Sequence, residues 1–135
     1  MSARVVFACV HNAGRSQMAA AFFNQLADPR CARAISAGTQ PATHVHPEVR
    51  ASMQELAVDL GHVAPQRLTP ELAREARLLI TMGCGEACPV VPGVELRDWP
   101  LPDPKGQGAD AVRQIRDAVR ARVVALLAER GWARA

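Results

Sequence analysis

The chain has 135 residues, of which 49% are hydrophobic, and its 16 basic and 13 acidic residues give a net charge of +3 at pH 7. This length and apolar content favour one domain over residues 1–135, with a core that needs neither disulfides nor a structural metal. The small positive charge, with no cluster of basic and aromatic residues, argues against a nucleic-acid partner and is compatible with a small anionic substrate.

Short apolar runs alternate along the chain with segments of helical periodicity, which predicts an α/β domain with a four-stranded parallel sheet flanked by helices. The expected elements are, in chain order, a strand at 4–8, a helix at 16–27, a strand at 32–37, a helix from 47 to about 61, a short helix after Thr69, strands at 78–82 and 94–96, and a helix from about 108 to 130. The helix that begins at Pro47 and ends at Gly61 would present an apolar stripe of Val49, Met53, Leu56 and Leu60. Ligands of open parallel sheets bind beyond the carboxyl ends of the strands, so the loops after the first, third and fourth strands should share one edge.

No signal peptide or membrane span is recognisable, because the first apolar run is too short to cross a bilayer. We therefore expect a cytoplasmic protein with no membrane partner. In that compartment the four cysteines should be reduced at rest, and they are more often catalytic, redox-active or packed than joined in a disulfide framework. Since no exposed apolar stripe demands a second copy, we expect a monomer.

The loop after the first strand reads Cys-Val-His-Asn-Ala-Gly-Arg-Ser over residues 9–16. A tight loop of small residues before a helix can turn several backbone N–H groups towards a tetrahedral anion, and Gly14 allows the backbone to approach it closely. Arg15 would add a bidentate donor, and Ser16 could donate a hydrogen bond to a thiolate. The same positive field favours the thiolate form of Cys9. A cysteine at a strand end is often inert packing, but this combination favours a nucleophile in an oxyanion-binding loop.

A second pair of cysteines, Cys84 and Cys88, follows the third expected strand. Four positions on a helix separate two Cα atoms by about 6 Å, which a disulfide can span, and the glycines on both sides of Cys84 would leave the segment flexible. A zinc site would need further ligands, and His44 and His46 lie in a proline-rich loop that favours solvation. Buried inert thiols are a second alternative. We predict a redox-active pair and no metal site.

The loop after the fourth expected strand carries two carboxylates among three prolines. A loop stiffened in this way can hold a carboxyl group over an active site at low entropic cost. Asp103, which precedes Pro104, is the better candidate for a general acid that protonates a leaving oxygen. Asp98 lies at the strand end, where it could pair with an arginine instead.

Taken together, these segments resemble the arsenate reductases built on the low-molecular-weight protein tyrosine phosphatase fold. The resemblance rests on residues 9–16, Gln17-Met18-Ala19, Ser36-Ala37-Gly38, the Cys84/Cys88 segment and Asp103-Pro104. It extends over essentially the whole chain and implies the same fold. The loop of residues 9–16 is typical of the superfamily, and the downstream cysteines are typical of the reductase branch.

The resemblance also implies roles for individual residues. Cys9 would attack arsenic in bound arsenate, with its thiolate stabilised by Ser16 and the leaving hydroxyl protonated by Asp103. Cys84 and Cys88 would then carry an intramolecular disulfide relay that thioredoxin reduces, with no tightly bound cofactor. The oxyanion would be held by Val10, His11, Asn12, Ala13, Gly14 and Arg15.

The sequence departs from its relatives at several points. Thioredoxin-coupled relatives often have a longer spacing between the shuttle cysteines, whereas three residues intervene here. Some relatives bind potassium with the loop asparagine and a helix glutamate; Asn12 is present, but Ala20 occupies the second position, which argues against a potassium site. Cys31 matches no catalytic position and is expected to be a bystander. Mycothiol or a glutaredoxin system remains an alternative electron donor.

Two other functions compete with the reductase. A low-molecular-weight protein tyrosine phosphatase would use the same loop and acid, but it would leave Cys84 and Cys88 without a role. The chain also has no tyrosine, and Lys105 stands after Asp103-Pro104 where phosphatases have aromatic residues that stack on substrate. Weak residual phosphatase activity is still expected. A non-enzymatic sensor of trivalent arsenic would need sulfur ligands but no oxyanion loop with Arg15.

Overall fold

The computed structural model describes residues 2–83 and 91–134 and shows a four-stranded sheet flanked by helices. The strands are in the order β2-β1-β3-β4 and all pairs are parallel, which confirms the predicted α/β class. The elements are β1 (Ala3–Cys9), α1 (Arg15–Leu26), β2 (Ala32–Gly38), α2 (Pro47–Gln54), α3 (Pro70–Arg74), β3 (Leu78–Thr81), β4 (Glu95–Asp98) and α4 (Ala109–Arg130).

The central strand β1 is buried on both faces, and its side chains alternate between two apolar clusters. Val5, Phe7 and Cys9 point to the larger cluster, which includes apolar residues of α1 and α4. In this cluster the ring of Phe7 lies 5.9 Å from that of Phe23 and 5.6 Å from that of Trp99. The intervening residues of β1 join a smaller cluster on the other face. The strand therefore ends with the Cys9 side chain on the same face as α1.

The predicted second helix is wrong in length, because α2 ends at Gln54 and not near Gly61. Ala57 takes a left-handed conformation with φ of 60°, and its N–H donates to Gln54 O at 2.9 Å. The next N–H, of Val58, donates to Met53 O at 3.0 Å, which completes a Schellman-type termination. No glycine in the sequence marks this ending. As a result the predicted stripe divides: Leu56 is exposed, while Leu60 reaches the core from the loop.

Ion pairs tie the start of α4 to the end of α2. Glu55 accepts hydrogen bonds from Arg113 and from Arg116, the latter at 2.8 Å, and Arg116 is itself buried and also donates to Ser52 O. The hydrogen bond from Arg113, ahead of that from Arg116, lowers the pKa of Glu55 to about 2. This cluster fixes α4 across the sheet face that carries Cys9.

No helix in residues 2–83 and 91–134 combines the length and the hydrophobicity that spanning a bilayer requires.

Candidate active site

The loop between β1 and α1 directs three of its backbone carbonyls to the neighbouring segment 40–46. The carbonyls of Val10, His11 and Ala13 accept backbone N–H groups from segment 40–46 at 2.8–2.9 Å. The first turn of α1 has no side-chain cap, so its N–H groups remain available for an anion. Carbonyls that point outwards and uncapped N–H groups at a helix start form the cradle that a tetrahedral oxyanion requires.

The thiol of Cys9 is buried and lies next to two hydrogen-bonding groups. The backbone N–H of Asn12 donates to Cys9 Sγ at 3.2 Å, and Ser16 Oγ lies 2.8 Å from the same sulfur. Asn12 can make this contact because it takes a left-handed conformation, with φ of 51°, which asparagine tolerates better than most residues. Two polar groups therefore converge on the atom that is the predicted nucleophile.

The orientation of the Asn12 side chain determines which way the Ser16 hydroxyl points. The backbone N–H of Gln66 can only donate, and it lies 2.9 Å from one side-chain atom of Asn12, which must therefore be Oδ1. Nδ2 then faces Ser16 and donates to its Oγ at 2.8 Å. That oxygen accepts from Asn12, so its own hydrogen is free to point to Cys9 Sγ, and it must do so when Cys9 is a thiolate, which can only accept. Gln17 Nε2 supports the arrangement by donating to Asn12 O at 3.0 Å.

Arg15 begins α1 and extends towards the loop that follows β4. Its side chain is only 10% exposed, and Nη1 donates to Leu101 O at 2.9 Å. Its Nη2 lies 3.8 Å from Asp103 Oδ2. On another side, the guanidinium borders the backbone of Gly83, where an added Cβ would lie 2.3 Å from Nη1. The arginine is therefore held between the ends of β3 and β4, as expected for three loops at one sheet edge.

Asp103 lies on a loop that packs directly on the oxyanion loop. A Cβ placed on Gly14 would lie 2.8 Å from Pro104 Cγ, so a glycine is needed there for contact between the two loops, in addition to the approach to an anion that we expected. The Asp103 side chain is 45% exposed and accepts the Lys105 N–H at 3.0 Å. Asp98 instead accepts the Thr81 hydroxyl at 2.7 Å and pairs with no arginine within the described residues.

The structure thus brings Cys9, Arg15, Ser16 and Asp103 together, and their catalytic roles remain predictions. Cys84 and Cys88 lie outside the described residues. The remaining residues of the predicted oxyanion-binding set all lie in the loop, where Val10 and His11 are half-buried and Asn12, Ala13 and Gly14 are buried.

Ala20 occupies the position at which some relatives carry a glutamate that binds potassium. It lines a cavity of about 630 Å³ between α1, β2 and segment 58–66, and its side chain brings no carboxylate to that cavity. Within residues 2–83 and 91–134 no three His, Cys, Asp or Glu side chains cluster as metal ligands would. Cys31 follows the loop after α1 and is a half-buried free thiol, remote in the chain from the site.

Sequence reasoning missed three partners of the site residues. The Leu101 carbonyl holds Arg15, the Gln66 N–H orients Asn12, and the backbone of Gly83 borders the guanidinium. The first two are backbone groups, which carry no residue-specific signal. Gly83 was visible as a glycine, but its pattern indicated only flexibility.

Comparisons with known proteins agree with this architecture. The sequence profile of the low molecular weight phosphotyrosine protein phosphatase family matches residues 4–131. A putative arsenate reductase of Halobacterium salinarum is 39% identical to this chain, in an alignment that covers 91% of this chain and 89% of that protein. A glutaredoxin arsenate reductase of Synechocystis is 33% identical, in an alignment that covers 93% of this chain and 97% of that protein.

A solved structure of a thioredoxin-dependent arsenate reductase from Corynebacterium glutamicum superposes with a TM-score of 0.81 at 35% identity. The match covers 96% of this chain and 62% of that one, so the present chain spans less than two thirds of its length. These similarities confirm the family resemblance inferred from the sequence.

Proposed function

Because this chain belongs to the low molecular weight phosphotyrosine protein phosphatase family, we propose that it uses the family's oxyanion loop to reduce arsenate to arsenite, with Cys9 as nucleophile. The relatives named arsenate reductases at 39% and 33% identity support the enzyme class expected from the sequence. The observation that carries the proposal is the pair of groups, the Asn12 N–H and the Ser16 hydroxyl, that converge on Cys9 Sγ at the start of α1.

The first step joins substrate and enzyme. Arsenate binds in the loop, with its oxygens held by backbone N–H groups and by Arg15. The Cys9 thiolate forms a bond to arsenic, and one hydroxyl leaves as water after taking a proton from Asp103. The short distance from Asp103 to Arg15, 3.8 Å, supports placing the acid beside the bound anion.

The second step is the reduction. The Cys84 thiolate attacks the sulfur of Cys9, and the electron pair of the sulfur–arsenic bond passes to arsenic, which changes from As(V) to As(III) and leaves as arsenite. Cys88 then attacks Cys84, which releases the Cys9 thiolate and leaves a disulfide between Cys84 and Cys88. Gly83 supports this assignment, because it borders Arg15 and Cys84 is the next residue in the sequence.

The electrons that regenerate the enzyme would come from the dithiol of thioredoxin. The thioredoxin-dependent relative, at 35% identity, supports this donor, while the relative named for glutaredoxin makes a glutathione and glutaredoxin system the alternative to test. No tightly bound cofactor is part of the proposal. We also propose that the protein is a monomer and that it works in the cytoplasm, where reduced thioredoxin is present.

The test is NADPH oxidation driven by arsenate in the presence of thioredoxin and thioredoxin reductase. We expect turnover in the wild type and in Cys31→Ser, the matched control for loss of a thiol. Turnover should be lost in Cys84→Ser and in Cys88→Ser. Repeating the assay with glutathione and glutaredoxin, and with mycothiol, identifies the donor. Absence of arsenate turnover with every donor, together with rapid hydrolysis of an aryl phosphate, would replace the proposal with a phosphatase.

The structure offers little to a phosphotyrosine substrate. A phosphatase of that kind needs an aromatic surface beside the site for the phenol ring. Here the three phenylalanines and Trp99 are buried in the core, and Trp132 packs on Phe23 beyond the end of α4. These are all five Phe and Trp residues of the sequence, so none is left to stack on the ring of a substrate. Phosphatase activity should therefore be residual, and its rate should depend only weakly on whether the leaving group is aromatic.

A further inference from the structure

Gly83 has an unusual relation to the oxyanion-binding arginine. It takes φ of +93°, and a Cβ built on its backbone would lie 2.3 Å from Arg15 Nη1 and 3.1 Å from Arg15 Cζ. Real Cβ atoms essentially never lie within 3.0 Å of another heavy atom, so the approach to Nη1 is not possible without a shift of the guanidinium. The guanidinium therefore lies against the part of residue 83 where every other amino acid has a side chain.

Two further contacts fix the same guanidinium. Nη1 donates to Leu101 O at 2.9 Å, and Nη2 faces the Asp103 carboxylate at 3.8 Å. With 10% of its side chain exposed, Arg15 has little room to adopt another rotamer. Gly83 and Leu101 together form a seat, by which we mean the space between their backbones that the guanidinium fills.

We propose that Gly83 is a positioning residue, which keeps the Arg15 guanidinium oriented for a tetrahedral oxyanion by leaving the seat open. A guanidinium held in advance loses less conformational entropy on binding the anion. A methyl group at residue 83 would displace the flexible end of Arg15 before it displaced backbone, and the hydrogen bond to Leu101 O would be lost. The inference rests on the proposed function only in taking arsenate as the natural anion.

A positive φ alone does not explain this glycine. Gly93 has φ of +86° and Gly106 has φ of +72°, and a Cβ on either would meet nothing within 4 Å. Replacing Gly93 by alanine therefore imposes a similar backbone strain without touching Arg15. Gly93→Ala is the matched control that separates backbone strain from loss of the seat.

The experiment measures oxyanion binding without turnover. Iodoacetamide alkylates Cys9, and inorganic phosphate in the loop should protect it; the extent is read from the Cys9 peptide by mass spectrometry. In Gly83→Ala we expect the phosphate concentration for half-protection to rise at least tenfold, and the KM for arsenate to rise by the same factor with a smaller change in kcat. In Gly93→Ala both should stay within twofold of wild type. Half-protection within twofold of wild type in Gly83→Ala would overturn the inference.

A second variant tests whether the effect acts through Arg15. In an Arg15→Lys background, adding Gly83→Ala should change half-protection by less than twofold, because the shorter ammonium group does not fill the seat. A further tenfold loss in that background would overturn the positioning role. The pattern in phosphate protection stands even if the wild type reduces no arsenate, so failure of this inference and failure of the proposed function are distinguishable.

Discussion

Replacing Asn12 by aspartate exchanges one side-chain group for another of nearly the same shape, yet it reverses a hydrogen bond next to the nucleophile. In the wild type, Asn12 Nδ2 donates to Ser16 Oγ at 2.8 Å, which leaves the hydroxyl hydrogen for Cys9 Sγ. A carboxylate at this position can only accept. The Ser16 hydroxyl would turn towards it, and the thiolate of Cys9 would lose that donor and gain a neighbouring negative charge.

The size of the effect follows from the bond that is lost. A hydrogen bond to a charged group contributes about 1.5–3 kcal/mol, which corresponds to about 10- to 150-fold in the balance between thiolate and thiol. A more basic thiolate is also a better nucleophile, with a Brønsted coefficient of about 0.4–0.5. This gain offsets roughly half, on a logarithmic scale, of the rate lost through the smaller thiolate fraction. We therefore expect alkylation of Cys9 to slow by about 4- to 15-fold in Asn12→Asp.

The assay is the second-order rate constant for carbamidomethylation of Cys9 in the folded protein, read from the Cys9 peptide by mass spectrometry over a series of pH values and compared at the lowest pH at which the rate is still proportional to hydroxide concentration. Ser16→Ala should fall within the same range, since it removes the same donor. Ser52→Ala, which deletes a buried hydroxyl on α2 that donates to Val49 O, should react as the wild type does. An Asn12→Asp protein that alkylates Cys9 within twofold of the wild-type rate would refute the assigned orientation of Asn12 and Ser16.

Two further predictions concern the acid loop and the pH dependence of stability. In Gly14→Ala the new methyl group would meet Pro104 Cγ at 2.8 Å and shift the acid loop, so kcat for arsenate should fall about tenfold, part of what a general acid contributes. Gly108→Ala, where a Cβ meets nothing within 4 Å, is the control, and an equal kcat in both variants would contradict the argument. Glu55, whose pKa is lowered to about 2 by Arg113, stabilises the fold above its unfolded pKa and loses that contribution as the pH falls towards 2. The difference in unfolding free energy between wild type and Glu55→Gln, measured with urea, should be full at pH 7 and shrink below about pH 5, and a difference independent of pH would contradict the pairing.

Local patterns predicted most of the fold correctly. The continuous apolar run of β1, which is buried on both faces, and the apolar periodicity of α1 and α4 depend on neighbouring residues, so the strands, the order of elements and the parallel sheet could be predicted from sequence. The end of α2 could not. Its left-handed terminating residue is Ala57, with φ of 60°, and alanine carries no signal for that conformation.

The sequence by itself determined which groups are the candidates for the chemistry. The spacing of Cys9, Arg15 and Ser16 within one loop is a local property, and a helix that starts at Arg15 brings them together in any fold that preserves the loop. The same holds for Asp103 at the end of a short loop after a parallel strand.

Only the tertiary structure decided how those groups are held. Asn12 is oriented by a backbone N–H that lies 54 residues away in the chain, and Arg15 by a carbonyl 86 residues away. Gly83 leaves the seat of Arg15 open through a contact that depends on where β3 ends relative to α1. Backbone donors and acceptors are the same for nearly every residue type, so their positions around the site follow from the chain's path in space and leave no mark in the sequence.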